Sequence, residues 1–487
     1  MSLHTRVSWL LVAALGLPPA AGYAAIPQAA GTKAAPAVQA AKSPAERQFR
    51  DWLSAFNAGD RAAYERFLRE QFPSRAARLD GDMDFLLRTG GFDLRRVERV
   101  TATSVTCLVQ ERAWEQLARA VVEVDAAPPH RIVQLELNLV PRPADLAVPR
   151  LKEADLASAV RAKIDAQSSR GRFQGAVLVA RNGKVIYNEA KGLADREAGT
   201  PNTLETRFRM GSMNKMFTAT AVLQLVQAGR VKLDAPLGTY LTDYPNRDVA
   251  AKVTVHHLLT HTGGTGDIFG PQFAARRLEL KALDDYLTLY GARSLEFEPG
   301  SKWQYSNYGF VLLGVIVERV SGQSYYDYVR DHIFAPAGMT GSGSEPEDLA
   351  VPGRAKGYMQ QKGVWVLNTG TLPYRGSSAG GGYTTVGDLL RFASALAGHR
   401  LLDAKHTSLL TSGKVDTGQG DKYAYGFVET IEGGVRSFGH SGGAPGMNGD
   451  LRIFPDSGYV VAALANTGSG ASQVVSWVSE RLPAPPR

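Results

Sequence analysis

Strand-like segments at both ends of the larger part of the chain place the strongest limit on its fold. Residues 175–192, GAVLVARNGKVIYNEAKG, predict a hairpin that turns at Asn182-Gly183, because Asn-Gly is a preferred pair in two-residue hairpin turns. A second run of strands is predicted from Tyr423 to Asn466, and the long middle is mostly helical. Residues 151–487 therefore predict an α+β domain, in which one antiparallel sheet is flanked by helices and carries an inserted, mostly helical lobe.

A separate small α+β domain is predicted for residues 45–140. At 487 residues the chain is too long for one ordinary core. Phe49, Trp52 and Phe56 have the spacing of a helix, and the segments RVTATSVTCLVQ, ARAVVEVD and HRIVQLELNLV that follow have the character of strands. Helices followed by consecutive strands loosely resemble the NTF2-like or cystatin-like shape. Residues 141–150 are interpreted as a linker between this domain and residues 151–487.

The first 24 residues have the pattern of a secretory signal peptide. Arg6 precedes an apolar run over residues 7–17, and small residues near Ala24 suit cleavage. Residues 25–44 are rich in Ala, Pro and Gln and are interpreted as a flexible linker. No later run reaches about 18 apolar residues, so we expect no membrane span. The sequence thus predicts an exported protein, periplasmic or secreted.

Charge and cysteine content argue against a nucleic-acid-binding protein and against a fold held by internal disulfides. The formal net charge is +8, but no cluster of lysines and arginines concentrates it, which argues against a nucleic-acid site. The single cysteine, Cys107, cannot form an internal disulfide and is most simply a buried thiol.

A serine and a lysine stand three residues apart at the predicted start of a helix, in RFRMGSMNKMFTATAVLQLVQAG. Residues i and i+3 of a helix share a face, so the amine of Lys215 can come within hydrogen-bond reach of the Ser212 hydroxyl. A serine becomes an effective nucleophile when a neighbouring base takes its proton, and the positive end of a helix lowers the pKa of a lysine there. The alternative, a capping serine beside a solvated lysine, is not excluded by this segment alone.

Two further segments carry groups suited to the same chemistry. In FEPGSKWQYSNYGF, Tyr305 and Asn307 lie between a Pro-Gly turn and an apolar helix, so a phenol for proton transfer and an amide for holding substrate can face one cleft. The alternative is a helix cap beside a packed tyrosine. In RSFGHSGGAPG, the glycines around His440 lie on or beside a strand, where a substrate can approach the backbone and N–H groups can bind an oxyanion.

Together these three segments resemble the serine beta-lactamase and penicillin-binding-protein-like hydrolases, in particular the branch with class C beta-lactamases, DD-peptidases, D-aminopeptidases and related esterases. The family's Ser-x-x-Lys matches Ser212 to Lys215, its Tyr-x-Asn matches Tyr305 to Asn307, and its third box, Lys-Thr-Gly or His-x-Gly, begins here at His440. The resemblance covers roughly residues 155–482.

The resemblance implies a mechanism and a set of roles. Ser212 is acylated, Lys215 and Tyr305 share the base and acid roles, and the N–H groups of Ser212 and Gly443 form the oxyanion hole. The residues expected to bind substrate are Asn307, His440, Ser441, Gly442 and Gly443. Substrates are expected to be small molecules or peptides with an amide, ester or beta-lactam bond, with peptidoglycan-derived peptides among them. No metal and no other cofactor is implied.

The third box departs from that of efficient beta-lactamases in the family, because His440 stands where they carry lysine. With its unperturbed pKa of about 6.5, His440 is expected to be neutral at pH 7 and protonated near pH 5. A neutral imidazole supplies no permanent cation for a substrate carboxylate. This weakens the case for beta-lactam hydrolysis and leaves peptidase, amidase and esterase activity open.

Three other functions fit parts of the sequence. GHSGG matches the nucleophile elbow of α/β-hydrolases with Ser441 as nucleophile, but that fold needs a histidine after the serine and His440 is the last histidine. His257 and His261 are four residues apart, as in some metal sites, but Leu258 stands where a metalloprotease carries glutamate. A penicillin-recognising cell-wall sensor or binding protein without catalysis is the alternative of a different class.

Overall fold

The computed structural model describes residues 43–484, which belong to two units. The first unit ends at Arg142 and the second begins at Pro143, within the segment interpreted as a linker. The predicted signal peptide, residues 1–24, and residues 25–42 of the predicted first linker lie outside the described residues. Over residues 43–484, no helix is both long enough and apolar enough to cross a membrane.

The first unit packs helices against a four-stranded antiparallel sheet. Its elements are α1 (Pro44–Ala58), α2 (Arg61–Gln71), α3 (Leu79–Thr89), β1 (Phe92–Val100), β2 (Ser104–Glu111), β3 (Leu117–Val124) and β4 (Ile132–Leu139). The strands lie in sequence order, and Phe49 and Trp52 of α1 join Cys107 of β2 in the buried core. The NTF2-like or cystatin-like resemblance of this unit stays a prediction.

One of the predicted strands in this unit is in fact a hairpin. The segment RVTATSVTCLVQ contains the last two residues of β1 and all of β2 except its last residue, joined by a turn. In that turn the Thr101 N–H donates to the Ser104 carbonyl at 2.8 Å, and the Ser104 N–H donates to the Thr101 hydroxyl at 2.9 Å. β1 has no simple alternation of apolar residues, because the pairing register shifts after Leu94 and again after Val97.

The second unit is built on one large sheet. Its strands are β5 (Gly175–Arg181), β6 (Lys184–Lys191), β7 (Leu193–Asp195), β8 (Thr200–Pro201), β9 (Phe208–Arg209), β10 (Tyr358–Gln361), β11 (Val364–Leu367), β12 (Tyr383–Thr384), β13 (Val415–Asp416), β14 (Lys422–Tyr423), β15 (Val428–Glu432), β16 (Val435–Ala444), β17 (Met447–Phe454) and β18 (Tyr459–Ala465). Eight of them form an antiparallel sheet in the order β13-β14-β15-β16-β17-β18-β5-β6. β5 pairs with β18 along its whole length, so strands from the two ends of the unit meet.

Helices fill the rest of the second unit. They are α4 (Glu153–Ser168), α5 (Asn214–Gln227), α6 (Arg247–Lys252), α7 (Val255–Leu259), α8 (Pro271–Arg276), α9 (Leu283–Tyr290), α10 (Asn307–Ser321), α11 (Tyr325–Val329), α12 (Ala335–Ala337), α13 (Val386–Ala397), α14 (Ala404–Thr411) and α15 (Ala471–Ser479). The chain between β9 and β10 holds α5 to α12. The predicted α+β fold, an antiparallel sheet with an inserted and mostly helical lobe, is confirmed.

The sheet and the lobe enclose the start of α5. Ala462 and Leu464 of β18 belong to the same core as residues of α5 and α13. The other residues of β18 are also buried, and α15 packs against β17 and β18. α5 packs against β16 on one side and α10 on another, which explains why it is apolar around most of its circumference. The polar residues at its first turn therefore lie between the sheet and the lobe.

Candidate active site

Ser212 lies in a tight turn that leads directly into α5. The turn is a 3₁₀ helix over Gly211–Met213, and Gly211 adopts a positive φ of 54°. β16 passes so close that a Cβ added at Gly442 would lie 2.0 Å from the Met210 carbonyl oxygen. Glycine at residues 211 and 442 thus allows the backbone of the turn and the backbone of the strand to touch.

The amine of Lys215 is buried and lies between three oxygen atoms. Lys215 is in the first turn of α5 with no exposed surface. Its Nζ lies 3.3 Å from the Ser212 Oγ and 2.8 Å from the Asn307 Oδ1, and it also donates to the Ala379 carbonyl. The helical spacing of Ser212 and Lys215 has therefore brought the two side chains within hydrogen-bond distance, as predicted.

This set of partners orients the amine when it is neutral. An ammonium has three N–H donors, whereas a neutral amine has two donors and one lone pair. The Asn307 Oδ1 and the Ala379 carbonyl can only accept, so they take both donors and leave the lone pair facing the Ser212 hydroxyl. Burial lowers the pKa of Lys215 to about 7, against an opposing effect of the negative charge of Asp267. A proton acceptor for Ser212 is thus available near neutral pH.

Tyr305 also lies next to Ser212 and Lys215. The Lys215 Nζ lies 4.7 Å from the centre of the Tyr305 ring, and an interaction with the Ser212 side chain lowers the pKa of the phenol, against the larger effect of burial. Burial raises the pKa of Tyr305, so the phenol keeps its proton at neutral pH. The arrangement can donate a proton from the phenol and accept one at the amine.

Asn307 begins α10, and a residue that the sequence did not single out holds it. Ser306 caps the helix by accepting the Gly309 N–H at 2.9 Å, which places Asn307 at the first position. The carboxylate of Asp267 accepts the Asn307 backbone N–H at 3.0 Å and its side-chain Nδ2 at 3.2 Å. No pattern in the sequence marks Asp267, because a lone aspartate after a glycine-rich turn is common in loops.

The Ala379 carbonyl also escapes sequence reasoning, since a backbone group has no residue signature. It belongs to the loop over residues 377–382. Asn214 Nδ2 donates to the Ser377 carbonyl at 2.8 Å, and Thr218 Oγ1 donates to the Ser378 carbonyl at 2.7 Å. These two contacts from α5 hold the loop so that the next carbonyl faces Lys215.

The free edge of β16 faces the Ser212 turn. Pairing of β16 with β15 ends at Gly439, so the edge beyond it carries no strand within the described part of the chain. The Ser212 N–H has no hydrogen-bond partner within residues 43–484. A Cβ added at Gly211 would lie 3.0 Å from the Gly443 nitrogen, so this amide and that of Ser212 lie on adjoining segments. Two such N–H groups can stabilise a developing oxyanion.

His440 is on this strand but turns away from solvent. It is 6% exposed, its Nδ1 lies 2.5 Å from the Ser441 carbonyl, and its Nε2 lies 3.1 Å from the Tyr423 hydroxyl. A carbonyl only accepts, so Nδ1 carries the proton and Nε2 accepts from Tyr423. Burial and the nearby charge of Lys215 lower the pKa of His440 to about 3. The expectation that His440 is protonated near pH 5 is therefore wrong, because it used the pKa of a solvated imidazole.

We expect His440→Gln to leave the pH dependence of activity unchanged from pH 5 to pH 8.5. A neutral imidazole has no ionisation in that range to lose, and the glutamine oxygen can accept from Tyr423 in its place. The measurement is kcat/KM for a small ester across the range, in both proteins. Disappearance of an ionisation near pH 6 in the variant would show that His440 titrates there.

The nucleophile-elbow and metal-site alternatives do not fit the observed geometry. Ser441 is in the middle of an antiparallel strand, opposite Asp450, and not at the strand-to-helix turn that a nucleophile elbow requires. His257 Nδ1 accepts the Thr254 N–H and His261 Nδ1 accepts the Ser306 N–H, so one nitrogen of each ring is already hydrogen-bonded to the backbone. Among residues 43–484, no group of three or more His, Cys, Asp or Glu side chains could hold a metal ion.

Known proteins with similar sequences or structures include hydrolases and a penicillin-binding protein. The family model described as Beta-lactamase matches residues 156–482. Esterase EstB of Burkholderia gladioli is 39% identical over 219 residues, covering 42% of this chain and 56% of the esterase, so the chain spans little more than half of that relative. A penicillin-binding protein from Bacillus halodurans superposes with a TM-score of 0.60 and 32% identity, covering 68% of this chain and 99% of that one. The D-amino acid amidase from Ochrobactrum anthropi SV3, solved with L-phenylalanine amide, superposes with a TM-score of 0.56 and 25% identity, covering 67% and 98%.

Proposed function

The chain belongs to the beta-lactamase family of serine hydrolases, and on that basis we propose that it is an exported enzyme that forms an acyl-enzyme at Ser212. Its substrates would carry an amide, ester or beta-lactam bond. The observation that supports this most directly is the buried Lys215 amine, 3.3 Å from the Ser212 Oγ, with a pKa lowered to about 7. Export rests on the signal-peptide pattern of residues 1–24.

In the proposed acylation step, the Ser212 hydroxyl passes its proton to the neutral Nζ of Lys215 while Oγ bonds to the substrate carbonyl carbon. The carbonyl oxygen takes the electron pair and is stabilised by the N–H groups of Ser212 and Gly443. When the carbonyl re-forms, the bond to the leaving amine or alkoxide breaks. The leaving group takes the Tyr305 phenol proton, and Lys215 returns a proton to the phenolate, so both groups end the step as they began.

In deacylation, Lys215 would first accept and then donate a proton. A water molecule attacks the acyl carbon and gives a proton to Lys215, which is again a neutral amine. The bond to the Ser212 oxygen then breaks, and this oxygen regains a proton from Lys215. Because the pKa of Tyr305 is raised, we assign the base role to Lys215 and proton donation to Tyr305, instead of an equal share of both roles.

The state of His440 supports ester and amide substrates over beta-lactams. A permanent cation in the third box would bind a substrate carboxylate, but His440 is neutral and engaged with Tyr423. Charge-assisted hydrogen bonds are roughly twice as strong as neutral ones, so a carboxylate-bearing drug loses a strong contact here. The esterase and amidase among the relatives have names that agree with this preference.

A substrate panel tests the proposal. The purified protein is assayed with a p-nitrophenyl ester, a D-amino acid amide, a D-Ala-D-Ala peptide and nitrocefin. We expect kcat/KM for the ester to exceed that for nitrocefin by at least about tenfold, which corresponds to about 1.4 kcal/mol. Nitrocefin as the best substrate would overturn the assigned preference. Labelling of Ser212 without turnover of any of the four would instead support a penicillin-recognising sensor.

A further inference from the structure

We propose that Asp267 is a positioning residue, which decides which atom of the Asn307 amide faces Lys215 and so keeps the amine aligned on Ser212. This inference rests on the proposed acyl-enzyme function. Asp267 is in the loop after the two glycines at residues 263 and 264, outside the three segments that suggested the site. It touches none of the reacting atoms, and it acts through Asn307.

The hydrogen bonds of Asp267 leave Asn307 only one orientation. Asp267 Oδ1 accepts the backbone N–H of Ile268 at 2.7 Å and that of Asn307 at 3.0 Å. Its Oδ2 accepts from the Asn307 Nδ2 at 3.2 Å. A carboxylate only accepts, so the NH₂ end of the amide has to face Asp267 and the Oδ1 end has to face the Lys215 Nζ, 2.8 Å away. The reverse orientation would set an N–H against the amine.

The loop around Asp267 also holds the residues that precede Asn307. The His261 carbonyl accepts the Gln304 N–H at 2.9 Å, and the His261 Nδ1 accepts the Ser306 N–H at 3.1 Å. The Ser306 hydroxyl donates to the Gly266 carbonyl at 2.5 Å. The contacts run in the same order along both segments, from residue 261 to 267 and from 304 to 307. Asp267 thus makes the last of a series of contacts that hold the Tyr-x-Asn segment.

Asp267 is also the group whose charge Lys215 experiences. The other titratable groups facing Lys215 are Tyr305, His261 and His440. Burial raises the pKa of the tyrosine and lowers the pKa of both histidines, which favours the neutral form of all three. Burial also raises the pKa of Asp267, while its three N–H donors and Lys215 favour its charged form. Removing this charge removes an influence that raises the pKa of Lys215.

Asp267→Asn is the first test, because it keeps the shape and changes one oxygen to NH₂. If the oxygen stays on the two backbone N–H groups, the new NH₂ meets the Asn307 NH₂, and the Asn307 amide has to turn. The Lys215 amine then loses an acceptor and the negative charge together. We expect the rate of Ser212 labelling by a fluorophosphonate to fall by about tenfold or more at pH 8, and its pH midpoint to move below the wild-type value.

Asp267→Asn combined with Asn307→Asp is the second test, and it should move the midpoint the other way. In this double variant an acceptor again faces Lys215, and the new NH₂ at residue 267 meets an oxygen. The carboxylate is now next to the amine, so we expect the midpoint to rise above wild type by about one to three pH units. A role in folding alone would not shift the midpoint in opposite directions in the two variants.

The controls separate this inference from the function on which it rests. Asp248→Asn changes an exposed carboxylate on α6 that pairs with Lys252, and it should leave both rate and midpoint unchanged. Thermal unfolding reports whether each variant is folded. If the single variant does not fold, the pH midpoint of labelling in the double variant decides whether Asp267 has this role. Wild-type midpoints in both variants would overturn the role of Asp267. Absence of labelling at Ser212 in the wild-type protein would overturn the proposed function itself.

Discussion

Replacing Ser212 with alanine is expected to lower kcat/KM for a p-nitrophenyl ester by about 10⁴-fold or more, since the reaction loses its nucleophile. Within residues 43–484, Ser212 is the serine whose hydroxyl bonds to a buried lysine amine. The wild-type protein is incubated with a fluorophosphonate, and intact-mass spectrometry followed by peptide mapping should show one adduct on the Ser212 peptide. The variant should show none.

A matched control for this experiment is Ser408→Ala on α14. Ser408 is an exposed serine, and its side chain makes no contact with the site. This variant should keep wild-type turnover and labelling. An adduct on Ser441 in the wild-type protein would contradict the assignment and revive the nucleophile-elbow alternative. Full activity of Ser212→Ala would contradict the acyl-enzyme mechanism altogether.

Lys215→Met is expected to slow acylation by about 10²- to 10⁴-fold, the range that general-base help contributes. Methionine fills similar space but cannot accept the Ser212 proton. In the wild-type protein the base is the neutral amine, so the acylation rate should rise as the pH increases through about 7 and should level off above it. The pH profile of fluorophosphonate labelling from pH 5 to pH 9 measures this midpoint directly.

Lys215→Arg distinguishes a base from a positive charge. A guanidinium stays protonated throughout this pH range, so it keeps a cation near Ser212 but cannot take its proton. We expect this variant to be about as slow as Lys215→Met and to lose the rise near pH 7. An arginine variant with near wild-type rates would show that the positive charge of Lys215, and not its lone pair, assists acylation.

Local patterns account for the elements that could be predicted. The hairpin at Asn182-Gly183 was marked by its turn residues, which adopt the positive φ angles that such a turn needs. β1 was not predicted, because two register shifts interrupt the alternation of apolar and polar residues. Leu94 and Val97 pack against the core, but the charged residues around them obscure the pattern of a strand. A bulge depends on how one strand meets its neighbour, so a strand that contains two bulges does not show the period of two on which sequence reasoning relies.

In the candidate site, too, some contacts follow from local spacing and others depend on the tertiary structure. The contact between Ser212 and Lys215 spans one helical turn, so the spacing of the two residues determined it. The contact between Lys215 and Asn307 spans 92 residues, and only the packing of α5 against α10 brings the side chains together. The Ala379 carbonyl reaches Lys215 from a loop held by α5, and Asp267 contacts Asn307 from another loop.

The sequence by itself determined the α+β class, the return of the chain to one sheet, and the identities of the nucleophile and base candidates, because these depend on local periodicity and spacing. The tertiary structure decided the protonation states. Lys215 and His440 both lose solvent in the fold, and burial disfavours the charged form of each, so the pKa of the lysine falls to about 7 and that of the histidine to about 3. Desolvation depends on every neighbouring atom in space, and no spacing along the chain encodes it.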